Sequence, residues 1–220
     1  MKTRFIDNYT KTKSLGVYDI NDNLLEKHEE EEFYTKIDDI IDQYDVVITV
    51  DYGHGLLTPK IINQIENKSN YLALNTQMNS FNIGHHTISK YSDVNYVCVH
   101  EGELRNDYRD HNNNIENLTK SLSKRINAEV IVITQGNEGS LVYDNNDFIN
   151  CPAFANKVVD RIGAGDTLLA ITSLCFAVGM PKDLTLLIGN LAAAEMVASI
   201  GTGMKLSKNN ILKSIQSLLK

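Results

Sequence analysis

Proline is scarce, at 3 of 220 residues, and the 13 glycines follow no repeat. Collagen-like and low-complexity architectures are thereby excluded. Cysteine is equally rare: Cys98, Cys151 and Cys175 are widely spaced, odd in number and set in apolar stretches. Free cysteine in such settings behaves as a small buried hydrophobe, and the pattern fits a reducing cytoplasm. No run approaches ~18 consecutive apolar residues, so no membrane partner is expected. Lys2 and Arg4 are followed by no apolar stretch, so the N-terminus is not expected to be a signal peptide. Positive charge is also short, with 21 Lys and Arg against 28 Asp and Glu, a net charge of −7. Binding modes that neutralise a phosphate backbone or an anionic membrane surface are disfavoured, so nucleic acid is not an expected partner.

What is present is an ordinary globular composition, 42% hydrophobic and 22% charged. Apolar β-type runs alternate with turns and amphipathic stretches, which is the rhythm of an α/β fold. Val46 to Val50 reads as a strand buried on both faces. The helix after it, over 59–66, has Thr58 as N-cap and Pro59 at its first position. Further strands are expected at 71–74, 96–99 and 130–134, the last preceded by a helix over 115–125. Ser140 to Tyr143 and Asp147 to Asn150 read as an edge hairpin, and helices are expected over 164–178, 181–199 and 207–219. Residues 3–7 and 14–19 read as two strands of a small sheet, and the acidic run Glu29 to Glu32 opens a helix reaching Asp42. With no Pro/Gly/Ser linker, a single domain is expected.

The strongest chemical signal is Gly163-Ala164-Gly165-Asp166-Thr167, at the start of a helix. Glycines let backbone N–H groups approach an anion, and a helix N-terminus adds unsatisfied donors and the positive end of the dipole. An Asp in that turn is placed to take a proton from a hydroxyl while the N–H groups stabilise a phosphoryl group. The blander reading is a helix-start carboxylate beside a flexible turn.

The run Asp160-Arg161-Ile162-Gly163-Ala164-Gly165-Asp166-Thr167 resembles the D-[ST]-x-G-A-G-D-[ST] signature of the PfkB-type, ribokinase-like carbohydrate kinases, departing only at Arg161. Other segments follow in that family's order. Thr134-Gln135-Gly136-Asn137-Glu138-Gly139 resembles the T-x-G-x-x-G turn along the nucleotide. Asn190 resembles the Asn of the helix on the adenine side. His100-Glu101-Gly102-Glu103 stands in place of N-x-x-E, keeping Glu103 and departing at His100, which could still reach phosphate. Asp51 to Thr58 and Asn75 to Gly84 resemble D-Y-x-K-G-x-L-T and N-x-Q-x-N-x-x-N of kinases akin to the heptose 7-phosphate kinase domain of ADP-heptose synthase, with His54 where Lys is common.

The resemblance implies a three-layer α/β/α sandwich, ribokinase-like, with a mainly parallel sheet over 21–220 and lid-like strands over 1–20. It implies ATP-dependent phosphorylation of a sugar or sugar phosphate. Asp166 would be the base and Gly163, Ala164 and Gly165 the anion cradle. Thr134, Gly136, Gly139, Asn190 and His100 would contact the nucleotide, and Asp51, Asn75, Gln77, Asn79 and Asn82 the sugar. Glu103 would organise magnesium and Asp160 a monovalent cation. It covers nearly the whole chain from Lys2 onward and implies an N-terminal portion of the family upstream of it. The sheet is therefore expected to have an open edge or apolar face that this portion or another chain would cover, and a homodimer through the lid strands is a further expectation.

Other readings fare worse. Gly53-His54-Gly55 lacks the third glycine of a dinucleotide fingerprint, since Thr58 stands there, and no acidic residue ends the next strand. No G-x-x-x-x-G-K-[ST] stretch occurs. His85-His86 lacks ligand spacing for a metal, and neither His54 nor His111 has an evident partner. The competing class is a non-catalytic nucleotide-binding or structural subunit derived from such a kinase, against which the pairing of Asp166 with its glycine turn argues.

Overall fold

The computed structural model describes residues 2–9, 13–21, 23–79, 82–155, 157–198 and 206–218. An antiparallel ribbon of β1 (Lys2–Ile6) and β2 (Lys13–Tyr18) comes first, followed by α1 (Lys27–Asp38). A six-stranded sheet then builds up strictly in chain order: β3 (Val47–Asp51), β4 (Leu72–Thr76), β5 (Tyr96–His100), β6 (Val130–Thr134), β7 (Ser140–Tyr143) and β8 (Phe148–Cys151). The first four strands are parallel and the last two form the antiparallel hairpin expected from Asp144-Asn145-Asn146.

The connections between the parallel strands carry α2 (Pro59–Lys68), then α3 (Glu101–Tyr108) and α4 (Ile115–Arg125). Because each crossover steps the same way along the sheet and crossovers are right-handed, all three helices fall on one face. After β8, α5 (Ala164–Ala177) and α6 (Lys182–Val197) cover the other face, and α7 (Lys208–Leu218) follows. Strand alternation feeds both layers. Leu72, Leu74, Val97, Val99, Ile131 and Ile133 pack with Ile61, Leu104 and Leu122. The residues between them, Ala73, Tyr96, Cys98 and Val132, pack with Leu168, Leu169 and Leu186. The result is the expected three-layer α/β sandwich with a mostly parallel sheet.

Two expectations need correction. The strand at 46–50 is not buried on both faces: Ile48 and Val50 are 38% and 37% exposed. β3 is the outermost parallel strand and is covered on one face alone, where Thr49 and Asp51 are buried and Val47 packs against the core. In addition α3 went unread. It has no apolar stripe and buries only Leu104, so hydrophobic periodicity carried no signal. Its start was nonetheless written in a capping box, with His100 accepting from the Gly102 N–H and Glu103 accepting from the His100 N–H.

Candidate active site

The parallel strands end on one edge of the sheet, and the residues singled out in the sequence follow those ends. Gln77 follows β4, Glu103 lies one turn into the helix after β5, the Gly136–Gly139 turn follows β6, and α5 begins beside them.

Gly163 is the N-cap of α5 with φ +86°, a left-handed conformation that a side chain would strain. The Thr167 N–H closes the first turn onto the Gly163 carbonyl at 2.9 Å. The N–H groups of Ala164, Gly165 and Asp166 precede it, where a helix has no internal acceptors to offer. A Cβ placed on Gly165 would meet nothing within 4 Å, so this turn opens on free space. The entry to the turn is fixed: Asp160 accepts from the Ile162 N–H at 3.0 Å, and the N–H groups of Val159 and Asp160 both donate to the Val197 carbonyl. Asp166 is exposed, and its Oδ1 accepts from Gln77 Nε2 at 2.8 Å.

Glu103 sits across from Asp166. Its two oxygens accept from the backbone N–H groups of Met78 at 3.0 Å and His100 at 2.7 Å. Burial, reinforced by the negative charge of Asp166, pushes its carboxyl above the usual range, while those two N–H donors work the other way. Cys98, on β5 near these carboxylates, has a thiol that burial pushes up to about 12. It therefore stays protonated and packs as a hydrophobe.

Of the residues expected to contact a nucleotide, His100 lines a cavity of about 260 Å³ with Glu101, Gly102, Arg105, Gln135 and Glu138, whereas Thr134, Gly136, Gly139 and Asn190 do not line it. Gln135 Nε2 donates to Glu101 at 2.8 Å, and Glu101 is also paired with Arg105 at 2.7 Å. Sequence reading missed this pair; a Glu followed four residues later by Arg was its signal, once α3 is recognised. Thr134 ends β6 opposite Ser140. Gly136 has open space about it, whereas a Cβ on Gly139 would lie 2.0 Å from the Cys151 carbonyl. Asn190 is buried, donating to Ser140 Oγ at 2.6 Å and to the Leu186 carbonyl at 2.9 Å. Its amide braces the strand that leaves the Gly139 turn.

Among the residues expected to contact a sugar, Asn79 and Asn82 are bonded to each other. Asn82 donates to the carbonyls of Tyr52 and Gln77 and accepts from the Asn79 N–H. Asn79 Nδ2 lies 3.4 Å from His54, whose ring stacks on Tyr52, so His54 does have partners. Asn75 donates to the Cys98 carbonyl at 2.7 Å, and its Oδ1 is buried with no hydrogen bond. Asp51 is buried at the end of β3, facing away from Asp166. It accepts from Tyr91 at 2.7 Å and the Gly53 N–H at 2.9 Å, and pairs with Lys90. His86 Nε2 donates to the Asp51 carbonyl at 2.9 Å. Among the described residues no cluster of three His, Cys, Asp or Glu forms a metal centre. The Glu103 carboxylate, facing the open first turn of α5, suits a divalent cation held jointly with phosphates.

Known proteins resemble this chain in both sequence and fold. The bifunctional protein HldE of Campylobacter fetus is 30% identical over 182 residues, covering 78% of this chain and 37% of that protein. The chain spans about two fifths of the length of the curated relatives it matches. Phosphofructokinase-2 from Escherichia coli, solved in complex with potassium, superposes with a TM-score of 0.81 at 14% identity over all of this chain and 71% of its own. Ribokinase from Thermotoga maritima does so at 0.75 and 13%, over 98% of this chain and 69% of its own. Residues 57–209 match the family described as pfkB family carbohydrate kinase, and the chain belongs to that family.

Proposed function

We propose that this chain is the phosphoryl-transfer unit of an ATP-dependent sugar kinase, a single domain whose acceptor is a sugar or sugar phosphate of the heptose 7-phosphate type. The observation that carries this reading is the exposed Asp166 at the third position of α5, beside a first turn that opens on free space at Gly165. Asp166 accepts the proton of the acceptor hydroxyl as its oxygen attacks the γ-phosphorus, and the bond to the β,γ-bridging oxygen breaks with its electron pair leaving on ADP. The first-turn N–H groups of α5 hold the charge that collects on the transferring phosphoryl oxygens. The Gly136–Gly139 turn and the His100 side of α3 orient the nucleotide, and Asn190 braces that turn through Ser140. Magnesium, when bound, neutralises phosphate charge, and Glu103 would help to hold it. A monovalent cation belongs beside Asp160. Asn75, Asn79 and Asn82 shape the acceptor side, with Asp51 behind them. The exposed Phe5, Leu15 and Val17 of the β1–β2 ribbon support a homodimer or cover by a further polypeptide segment. A cytoplasmic location agrees with the three free cysteines.

The test is ATP-dependent phosphorylation of a panel of sugars and sugar phosphates, heptose 7-phosphate included. Asp166→Asn should lower turnover by ~100- to 10,000-fold while leaving ATP binding intact. Wild-type turnover in that variant would overturn the mechanism.

A further inference from the structure

Gln77 reads from sequence as a sugar ligand, yet its side chain reaches across to the opposite element. Its Nε2 donates to Asp166 Oδ1 at 2.8 Å, over a separation of 89 residues. Counting by twos from Ala73, which packs in the cluster of Leu168 and Leu169, places Gln77 on the face that α5 covers. Its backbone leaves little freedom. The Gln77 N–H donates to the Asp51 carbonyl at 2.9 Å, continuing the β3–β4 ladder by one residue. Its carbonyl accepts from Asn82 Nδ2 at 2.7 Å. The next N–H, of Met78, donates to Glu103 at 3.0 Å. One dipeptide therefore holds the end of β3, the Asn79–Asn82 turn, Glu103 and Asp166 in register.

We infer that Gln77 is a positioning residue for the carboxylate of Asp166, one that couples the acceptor loop to proton transfer. The inference rests on the reading of Asp166 as the base. An Asp side chain at a helix start has a broad terminal torsion, and an exposed carboxylate with no second tether samples it freely. A bond to Oδ1 from an amide anchored on the sheet fixes that torsion and assigns Oδ2 to the acceptor hydroxyl. Misplacement by about 1 Å costs on the order of 100-fold in rate, so the strut is worth a measurable fraction of turnover. Because the Gln77 carbonyl is held by Asn82, an acceptor contact at Asn82 reaches the base through a single residue.

The experiment is steady-state kinetics of the intact protein carrying Gln77→Leu, Gln77→Asn and Gln77→Glu, with melting temperatures to establish folding and Asp166→Asn alongside. Gln77→Leu and Gln77→Asn, the latter one methylene too short, should each lose about 10- to 100-fold in kcat with KM for ATP unchanged. Gln77→Glu should lose more at neutral pH, and the acidic limb of its pH–rate profile should move to higher pH, because two carboxylates in contact do not both ionise. A merely structural role would leave that limb in place. Wild-type kcat in Gln77→Leu, or a raised acceptor KM with kcat preserved, would overturn the inference and return Gln77 to the role of sugar ligand. Activity in Asp166→Asn would instead remove the base reading, and the two failures are read from different variants.

Discussion

A methyl group at residue 165 separates folding from chemistry. Its Cβ would point into open space, clear of every heavy atom within 4 Å, in a helix where alanine is preferred over glycine by roughly 0.5–1 kcal/mol. Gly165→Ala should therefore raise the melting temperature slightly while phosphoryl transfer falls, since the methyl occupies the space an anion would take. Calorimetry and kcat, measured on one preparation, check both halves; an equally active variant would mean that the cradle lies elsewhere. Gly163 to Asp166 was legible in the sequence because all of its chemistry lies within one helical turn. The partner of Asp166 was not, since nothing local links it to a residue 89 positions away. The partner of Asp51 was illegible for the same reason: the Tyr91 hydroxyl bonded to its carboxylate lies 40 residues downstream.

At the scale of elements, the segment between β4 and β5 is tied to β3 by a small network in which the side chains of Asp51, His86 and Tyr91 are buried and Lys90 reaches toward solvent. Burial lowers the affinity of His86 for a proton below its ordinary value of 6.5, though the nearby Asp51 opposes this. The unfolded chain then takes up more protons than the folded one below that pH, and stability falls as pH drops through 6.5. Burial also works to raise Asp51, but its bonds with Lys90, Gly53 and Tyr91 prevail and hold it below 3.8. Its contribution is present above 3.8 and is lost as pH falls through the depressed folded value. Urea melts should therefore show two descending steps on acidification. Lys90→Met, which leaves the buried carboxylate without its counter-charge, should cost about 3 kcal/mol at neutral pH and flatten the lower step. An unchanged midpoint would show that Tyr91 and Gly53 satisfy Asp51 alone. The helices α2 and α4 that frame this region were legible from their apolar stripes and caps. The short α3 was not, having a cap but no stripe.

For the molecule as a whole, the exposed side of β3 is the feature that local pattern could not reveal. Five apolar or β-branched residues in a row read the same in a central strand as in an outer one. Only the sheet order places Val47–Asp51 outermost, beside a cavity of about 300 Å³ lined in part by Ile40, Tyr44, Ile48, Val50 and Leu56. An apolar strand left in this position is a template for pairing with another chain. Ile48→Lys with Val50→Lys should therefore reduce concentration-dependent association of the isolated chain, followed by sedimentation velocity, with little effect on its melting temperature. Association at wild-type levels would place the contact elsewhere, on the β1–β2 ribbon for instance.

Because the sheet grows strictly in chain order, each new strand leaving the ribosome meets the one made just before it, and no pairing waits for a distant segment. The layers are not equally prompt. The face carrying Leu74, Val97 and Ile131 is covered by helices made between the strands, whereas Ala73, Tyr96, Cys98, Val132 and Val142 wait for residues 164–197. At roughly 5–20 residues per second, the interval from the end of β7 to the end of α6 is several seconds. During synthesis that bare face is what a chaperone would find. The first of the two helices that cover this face also delivers Asp166, so the nascent chain acquires its proposed base only as that face of the sheet closes.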